Sequence, residues 1–327
     1  MKLRELGEFG LIDRIAGQVV PPPGVRIGIG DDAAAVTPSP GFLTLVTSDM
    51  LVEGIHFDLS LCDPRTLGRK SLAVNLSDIA AMGGIPRHFL LSLALPEELP
   101  VEFLDGFIGG LLEMAGEFGV ALVGGDTCAS RGGLVISVTL MGEQLPERVI
   151  SRGGAQPGDL IFLTGTPGDS ALGLRLLRKG ERTGPAVRKH LDPFPRVREG
   201  LALAEAGIPT AMIDVSDGLL ADLGHILDLS GAGARVDLAK VPLSASFLEQ
   251  RPLLTEDPFL LPLSGGEDYE LLFTASPAKM AAALDLLDRL GTRITAIGEI
   301  TAAGGVQVLA EDGSEYQVAV SGYNHFS

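Results

Sequence analysis

Residues 66–95, TLGRKSLAVNLSDIAAMGGIPRHFLLSLAL, decide the fold class of this chain. The apolar spacing over residues 66–82 predicts a helix that ends at Gly83 and Gly84. Residues 88–95 form an apolar run of the kind that central strands show. A helix followed by a buried strand indicates α/β layers. Asp78 lies between apolar neighbours in the helix, so its carboxylate is expected to be exposed, paired or bound to a ligand.

The same alternation continues on both sides of this stretch. It predicts helices at residues 6–15, 101–118, 170–177, 196–206, 219–229 and 277–290. It predicts strands at residues 42–47, 121–123, 134–141, 160–164, 211–213 and 294–300, and others near Arg235 and Leu271. Residues 179–195 are rich in Gly and Pro and predict a surface loop. A length of 327 residues fits two domains, and we place them at residues 1–148 and 149–327.

The charge and cysteine content exclude several classes of protein. A formal net charge of −17 argues against nucleic acid or an anionic membrane as a partner, because both are polyanions. Cys62 and Cys128 are the two cysteines, too few for a disulfide framework or a zinc-ligand set. The N-terminus lacks a signal-peptide core and no apolar run is long enough to span a membrane. We therefore expect a cytoplasmic protein.

Acidic residues recur along the chain on short Gly, Ser or Thr motifs, at points where apolar runs end. They are Asp31 and Asp32 in GIGDDAA, Asp49 in VTSD, Asp78 in NLSD, Asp126 in VGGDT, Asp214 and Asp217 in IDVSDG, and Glu267 and Asp268 in SGGEDYE. Carboxylates brought to one cleft require cations between them. Their oxygen atoms suit Mg²⁺, which also binds substrate phosphates. The pattern predicts metal-dependent chemistry on a phosphorylated ligand.

Each motif also has a purely structural interpretation. Asp31 and Asp32 fit a polar turn, and Gly125-Asp126 fits a tight turn. Ser216 or Asp217 fits the N-cap of a helix whose N-terminus could also bind an anion. The sequence has no P-loop and no kinase-type glycine loop. A nucleotide would therefore bind through the carboxylates and their metal.

Nine motifs taken together carry a resemblance over nearly the full chain. They are GEFGLIDRI at 7–15, GDDAA at 30–34, TSDMLVEGIHF at 47–57, NLSDIAAMGG at 75–84, VGGDT at 123–127, SRGGAQPGD at 151–159, DVSDGL at 214–219, GGEDYEL at 265–271 and GYNHF at 322–326. In order and spacing they closely resemble the thiamine-monophosphate kinases. That family belongs to the superfamily that includes aminoimidazole ribonucleotide synthetase.

The resemblance implies ATP-dependent phosphorylation of thiamine monophosphate to thiamine diphosphate with several Mg²⁺ ions. By motif, the implied metal ligands are Asp31, Thr47, Ser48, Asp49, Asp78, Asp126, Asp214 and Asp217. The implied ATP contacts are Gly125, Asp126, Arg152 and Ser216, and the implied thiamine-phosphate contacts are His56, Glu267 and Tyr323. The family fold implies two α/β domains and a homodimer whose core is formed by the N-terminal sheets. No side chain is implied as a catalytic acid, base or nucleophile.

Two other functions remain open at this point. A different superfamily member, such as a selenophosphate or aminoimidazole ribonucleotide synthetase, also uses ATP to activate an oxygen. The former would have a reactive cysteine near its N-terminus, whereas the first cysteine here is Cys62. A sensor that binds Mg-ATP without turnover would use the same carboxylates. A kinase assay with thiamine monophosphate separates these functions.

Overall fold

The computed structural model describes residues 2–30, 33–254, 257–318 and 322–323. The chain divides into two compact units. Unit 1 comprises residues 1–79 and 84–146, and unit 2 comprises residues 80–83 and 147–327. Both units combine helices with a β-sheet, which confirms the predicted α/β layers. Within the described ranges, no helix combines the length and the apolar character needed to cross a membrane.

Unit 1 is built around a four-stranded sheet. Its elements are α1 (Leu3–Ala16), β1 (Val25–Ile27), β2 (Ala35–Val36), β3 (Leu43–Val52), α2 (Pro64–Ala81, of which the last two residues belong to unit 2), β4 (Ile85–Pro96), α3 (Val101–Phe118), β5 (Ala121–Ser130) and β6 (Val135–Gln144). The strand order is β3-β6-β4-β5; β4 and β5 are parallel and the other pairs are antiparallel. β1 and β2 form a separate antiparallel pair.

The two faces of this sheet differ. One face buries apolar side chains such as Phe89, Leu91 and Leu140 in the core of the unit. The other face leaves Val46 and Met50 on β3 64% and 58% exposed. Alternation along each strand explains how one sheet presents both surfaces. The sheet of unit 1 therefore has one buried apolar face and one open face.

α2 and α3 pack with their backbones in close contact. A Cβ atom on Gly68 of α2 would lie 2.0 Å from the carbonyl oxygen of Phe107, and one on Gly110 of α3 would lie 1.9 Å from that of Arg65. Only glycine fits at either position. This close packing fixes α2, which carries Asp78.

Two strands of unit 1 are longer than predicted. The expected strand at 42–47 continues as β3 to Val52, so Ser48 and Asp49 lie inside it and not at its end. The expected strand at 121–123 continues as β5 to Ser130, so Asp126 lies in a strand and not in a tight turn. In both places Ser, Thr or Gly follows the apolar run without ending the strand, because alternation on a half-open sheet accommodates polar residues.

Unit 2 is built around a six-stranded sheet. Its elements are β7 (Leu160–Thr164), α4 (Asp169–Arg178), α5 (Pro185–Leu191), α6 (Val197–Glu205), β8 (Ala211–Asp214), α7 (Leu219–Ser230), β9 (Gly233–Asp237), α8 (Ala245–Gln250), α9 (Leu260–Ser264), β10 (Leu271–Ala275), α10 (Met280–Arg289), β11 (Ile294–Thr301) and β12 (Gly305–Leu309). The strand order is β12-β9-β11-β7-β10-β8, and β12 and β9 are the parallel pair.

Apolar side chains cover both faces of the unit 2 sheet. Leu223 and Ile226 of α7 pack in one cluster with Ile161 and Leu163 of β7. Phe162 of β7 and Phe273 of β10 stack, with ring centroids 5.1 Å apart. Since neighbouring residues of a strand point to opposite faces, this pair lies on the side away from α7. β8 is an edge strand of this sheet and ends at Asp214, immediately before the loop that starts α7.

The predicted surface loop at residues 179–195 is wrong. It contains α5, which begins with Pro185 directly after Gly184. A proline in the first turn of a helix is favourable, because its missing N–H would have no helical partner there. Ala186, Val187 and His190 of α5 are buried. The Gly and Pro residues mark the boundaries of this short helix.

Candidate active site

A pair of carboxylates meets on the covered side of the unit 1 sheet. Thr47 and Asp49 are two residues apart on β3 and therefore share a face. The Thr47 hydroxyl donates a hydrogen bond to the Asp78 carboxylate. The backbone N–H of Asp49 donates to Oδ1 of Asn75, one turn before Asp78 on α2, at 3.2 Å. Strand β3 and helix α2 thus bring Thr47, Asp49 and Asp78 together.

Two like charges lie close together in this cluster. Burial and, to a smaller extent, the nearby negative charge of Asp78 together raise the pKa of Asp49 to about 7. Two carboxylates in a partly buried place favour either a proton or a cation between them. The neighbouring donors are a hydroxyl and carboxylate oxygens, which are hard ligands that suit Mg²⁺.

Ser48 and Asp126 do not join this cluster within unit 1. The Ser48 hydroxyl lies 3.0 Å from that of Thr139 on β6. Asp126 on β5 is exposed and pairs in register with Ser92 of β4. Alternation places both on the open side of the sheet, and β3 and β5 are three strand spacings apart, about 14 Å. Within unit 1, Ser48 and Asp126 therefore lie neither beside the Asp49–Asp78 pair nor beside each other.

Gly125 has a structural reason to be glycine. A Cβ atom there would lie 1.8 Å from the carbonyl oxygen of Leu91 on the neighbouring strand. Its lack of a side chain lets β5 approach β4 closely just before Asp126. Gly125 and Asp126 are exposed, while pairing with β4 holds their backbone in place.

His56 closes the turn that follows β3. Its ring atom Nδ1 accepts a hydrogen bond from the backbone N–H of Val52 at 3.0 Å. The backbone N–H of His56 donates to the carbonyl of Val52 at 2.9 Å. Because Nδ1 is an acceptor, the ring proton lies on Nε2 in the neutral form. The ring therefore has a defined orientation seven residues after Asp49.

In unit 2 the loop between β8 and α7 wraps around one buried carboxylate. Oδ2 of Asp222 accepts from the backbone N–H groups of Ser216, Asp217 and Gly218 at 3.0, 3.1 and 3.1 Å. The expected N-cap at Ser216 or Asp217 is therefore wrong: the N-cap residue is Gly218, and no side chain caps it. Asp222, in the first turn of α7, holds the loop from inside the helix.

Asp222 belongs to a set of metal-ligand types. Donor atoms of Asp217, Asp222 and His225 lie within 4.8 Å of one another. Burial and the negative charge of Asp217, opposed by three backbone amides, together raise the pKa of Asp222 to about 7. Asp214, the last residue of β8, is 2% exposed. The sequence prediction missed Asp222, because nothing local distinguishes it from an ordinary acidic residue in a first helical turn.

Three segments that are far apart in sequence meet at this loop. The N–H of Glu267 donates to the carbonyl of Ser216 at 2.7 Å, and the N–H of Tyr323 donates to the carbonyl of Asp217 at 3.0 Å. Glu267 and Tyr323 therefore lie beside the DVSDGL motif. Within unit 2, the structure brings together the predicted ATP contact, metal ligand and substrate contacts.

Arg152 lies apart from this loop. Arg152 is exposed, and its neighbours contact the start of β8 and the C-terminal end of α7: the carbonyl of Ser151 accepts from Met212, and Gly153 packs beside Leu229. α7 has 12 residues, so its length of about 18 Å separates Arg152 from Asp217. Asp31 and its neighbour Asp32 lie outside the described residues.

Comparison with known proteins gives consistent matches over both units. The model of the AIR synthase related protein, N-terminal domain, matches residues 30–144, and that of the C-terminal domain matches residues 156–311. The thiamine-monophosphate kinase of Escherichia coli (strain K12) is 40% identical over 332 residues, 98% of each chain.

Solved structures agree. The crystal structure of thiamine-monophosphate kinase from Stenotrophomonas maltophilia K279a has a TM-score of 0.83 and 39% identity, over 97% of this chain and 99% of that one. The structure of AaThiL complexed with AMPPCP and TMP has a TM-score of 0.78 and 34% identity, over 100% and 99% of the two chains. These similarities cover both units of the chain.

Proposed function

Because this chain belongs to the thiamine-monophosphate kinase family of AIR synthase related proteins, we propose that it phosphorylates thiamine monophosphate to thiamine diphosphate with ATP. It is an enzyme, a phosphotransferase whose acceptor is a phosphate group. The observation that carries the proposal is the Asp49–Asp78 carboxylate pair, in a chain similar over nearly its full length to kinases of this kind. The relative that holds AMPPCP, an ATP analogue, together with TMP supports ATP as co-substrate.

We propose Mg²⁺ as the cofactor, with several ions. Support comes from the raised pKa of Asp49 and from donor groups that are all oxygen. The proposed ligands are Asp31, Thr47, Ser48, Asp49, Asp78, Asp126, Asp214 and Asp217. When bound, the metal neutralises charge on the transferring phosphoryl group. A chain with a net charge of −17 needs that neutralisation to bind two anionic substrates.

The proposed ligand contacts divide between backbone and side chains. We assign ATP to Gly125, Asp126, Arg152 and Ser216, and thiamine monophosphate to His56, Glu267 and Tyr323. The exposed backbone at Gly125 and the loop position of Ser216 support the first set. The hydrogen bonds that join Glu267 and Tyr323 to the loop at 216–217 support the second.

The acceptor oxygen belongs to an ionised phosphate, so no strong general base is needed. The barrier comes from repulsion between two anions and from their alignment. In our proposal the chain holds the two substrates in line, and the phosphoryl group passes directly between them without a phosphoenzyme. Detection of an aspartyl-phosphate on the protein during turnover would contradict direct transfer.

We propose a homodimer formed through the open face of the unit 1 sheet. Val46 and Met50 are exposed there, and such apolar side chains on an unpaired sheet face favour burial by a partner. Ser48 and Asp126 lie on the same face, so a second copy would cover part of the proposed site. Residues 1–148 then form an ATP-binding, metal-binding and dimerisation domain, and residues 149–327 form the C-terminal α/β domain. We place the enzyme in the cytoplasm, where ATP is available.

The test is a coupled assay with ATP, Mg²⁺ and thiamine monophosphate. We expect ADP and thiamine diphosphate in equal amounts, and no ADP without thiamine monophosphate. Asp78→Asn should reduce turnover by about 10²–10³-fold, the scale of losing one electrostatic stabiliser of the transition state. Glu102→Gln, at an exposed position on α3, is the matched control and should retain wild-type turnover. Absence of thiamine diphosphate with the wild-type enzyme would refute the proposal.

A further inference from the structure

His190 is a buried histidine that contacts a predicted substrate ligand. It lies on α5, and its residue is 6% exposed. Its Nδ1 lies 3.0 Å from the hydroxyl of Ser170 on α4 and 3.3 Å from Oε2 of Glu267. The Glu267 side chain is 27% exposed, whereas that of His190 is 8% exposed. Glu267 can therefore reach a ligand from solvent, and His190 acts on that ligand through Glu267.

The hydrogen-bonding capacities of Glu267, Ser170 and His190 determine the tautomer and the orientation of the His190 imidazole. A carboxylate of Glu267 only accepts hydrogen bonds, so an attractive contact places the proton on Nδ1 of His190. The hydroxyl of Ser170 can accept from that same N–H. Ser170 is fully buried, and its position limits rotation of the imidazole ring. The ring is thus held in the orientation that faces Glu267.

The backbone of Glu267 is also held under constraint. Glu267 and Tyr269, with φ of 66° and 51°, are the non-glycine residues with positive φ among the described ranges. Such a conformation costs about 1–3 kcal/mol and persists only where surrounding contacts enforce it. Between them, the fully buried Asp268 accepts from the N–H groups of Gly168 and Ser170 at 2.5 and 3.1 Å.

These contacts form a closed circuit of four residues. Glu267 continues through the backbone to Asp268, Asp268 binds the N–H of Ser170, the Ser170 hydroxyl contacts His190, and His190 contacts Glu267. A strained backbone and a restrained carboxylate meet at one residue. Strain of this kind is typical of sites where a side chain must be presented in one geometry.

We propose that His190 is a positioning residue that holds the Glu267 carboxylate for the cationic thiazolium–aminopyrimidine part of the acceptor substrate. This rests on the proposed function. Because Glu267 is anionic and the thiamine moiety carries a positive charge, a fixed carboxylate stabilises the bound substrate in the ground state and in the transition state alike. The role predicts a loss in affinity for thiamine monophosphate, while affinity for ATP is preserved.

The experiment compares three variants with the wild type. His190→Met removes the ring nitrogen and keeps an apolar side chain that fills space, His190→Asn retains an N–H donor near the position of Nδ1, and Arg188→Ala changes an exposed residue of the same helix. KM for thiamine monophosphate, KM for ATP and kcat are measured separately. Thermal melting checks that each variant is folded.

We expect His190→Met to raise KM for thiamine monophosphate about tenfold, the value of one lost hydrogen bond to a charged group. KM for ATP should change by less than about twofold, His190→Asn should recover most of the loss, and Arg188→Ala should match the wild type. Glu267→Gln should raise the same KM, and adding His190→Met to it should have little further effect, because the two residues act through one contact.

Ser170→Ala provides a second route if His190→Met melts far below the wild type. It removes one hydroxyl that restrains the ring, and we expect a rise of a few-fold in the same KM. Equal KM values for thiamine monophosphate in wild type, His190→Met and Ser170→Ala would overturn the positioning role while the kinase activity stands. A fall in kcat with unchanged KM values for both substrates would also overturn it. A wild-type enzyme that forms no thiamine diphosphate would instead refute the proposed function itself.

Discussion

The carboxylates of unit 1 and those of unit 2 are buried in different ways. In unit 1, Asp49 and Asp78 lie near one another, and burial with this like charge raises the pKa of Asp49 to about 7. In unit 2, Glu270 is surrounded by donors: Lys189, Arg196 at 2.7 Å and Thr164 at 2.7 Å. Burial alone would raise its pKa, but these cations lower it to about 2.

The difference separates ligand binding from scaffolding. A buried carboxylate whose hydrogen bonds are all made by the protein stabilises the fold and has no capacity left for a ligand. A pair of like charges, in which burial and mutual repulsion raise a pKa, is stabilised by a bound cation and lowers the stability of the fold without one. Glu270 belongs to the first kind and the Asp49–Asp78 pair to the second. Mutations should therefore affect stability in opposite directions at the two places.

The largest expected effect is at Glu270. Glu270→Gln removes the charge that Lys189 and Arg196 neutralise, and breaking such a buried pair costs about 3–5 kcal/mol of the free energy of unfolding. The wild-type contribution is present above the ordinary glutamate pKa and is lost as pH falls towards 2, because the folded-state pKa is lowered. Urea denaturation at pH 7 and pH 3 measures both effects.

Glu249→Gln, at an exposed position on α8, is the control for Glu270. It should change the free energy of unfolding by less than about 0.5 kcal/mol. A Glu270→Gln variant as stable as this control at pH 7 would show that Glu270 is not part of the scaffold, and the comparison between the two units would fail.

Asp49→Asn should change the free energy of unfolding of the metal-free enzyme in the opposite direction, as a stabilisation. The folded-state pKa of Asp49 is raised to about 7, so the wild type loses stability as pH rises from about 4 to 7. Asn does not ionise, and the variant should be the more stable form at pH 8 by about 2–3 kcal/mol. Thermal melting in EDTA at pH 5 and pH 8 measures the difference.

Magnesium should reverse this order. Millimolar Mg²⁺ should raise the melting temperature of the wild type at pH 8 and leave Asp49→Asn nearly unchanged, because a ligand that binds only the folded form stabilises it. Asp105→Asn, remote on α3 and paired with Arg14, serves as the control and should respond to Mg²⁺ like the wild type. An equal response of Asp49→Asn would remove Asp49 from the metal ligands.

Regular elements were predictable where local pattern and tertiary packing agree. The helix at 101–118 and the strand at 160–164 are confirmed at the predicted bounds. β3 and β5 extend beyond the predicted strands because their polar residues alternate towards an open sheet face, and this face is a property of the folded unit. α5 was missed because its boundary residues resemble those of a loop.

In the candidate site too, some residues could be selected from local pattern and others depend on tertiary contacts. Asp78 could be selected as a candidate because it is a charged residue between apolar neighbours, which needs a partner or ligand. Asp49 could be selected because it follows the apolar run of a strand. His190, Asp222 and Asp268 could not, because their roles depend on contacts with segments 20 to 100 residues away or on backbone amides of a loop. The sequence identifies candidate ligand-binding residues more readily than the residues that hold such candidates in place.

The smallest expected effect is at Asp222, which combines a feature of Glu270 with a feature of Asp49. Its Oδ2 accepts three backbone N–H groups, as a scaffold carboxylate does, yet burial and Asp217 raise its pKa to about 7. Asp222→Ala should cost about 1–3 kcal/mol at pH 6 through the unsatisfied amides. The cost should shrink at pH 8, since the wild type loses stability as pH rises through the raised pKa and the alanine variant does not.

Asp228→Ala, at an exposed position near the end of the same helix, controls for a change of acidic residue on α7. Urea denaturation of both variants at pH 6 and pH 8 gives the comparison. If the cost of Asp222→Ala increases between pH 6 and pH 8, the ionised carboxylate is a net stabiliser, and Asp222 belongs with Glu270 as a scaffold residue. If it decreases, the three amides do not fully compensate the charge, and Asp222 resembles Asp49 in retaining the capacity to bind a cation.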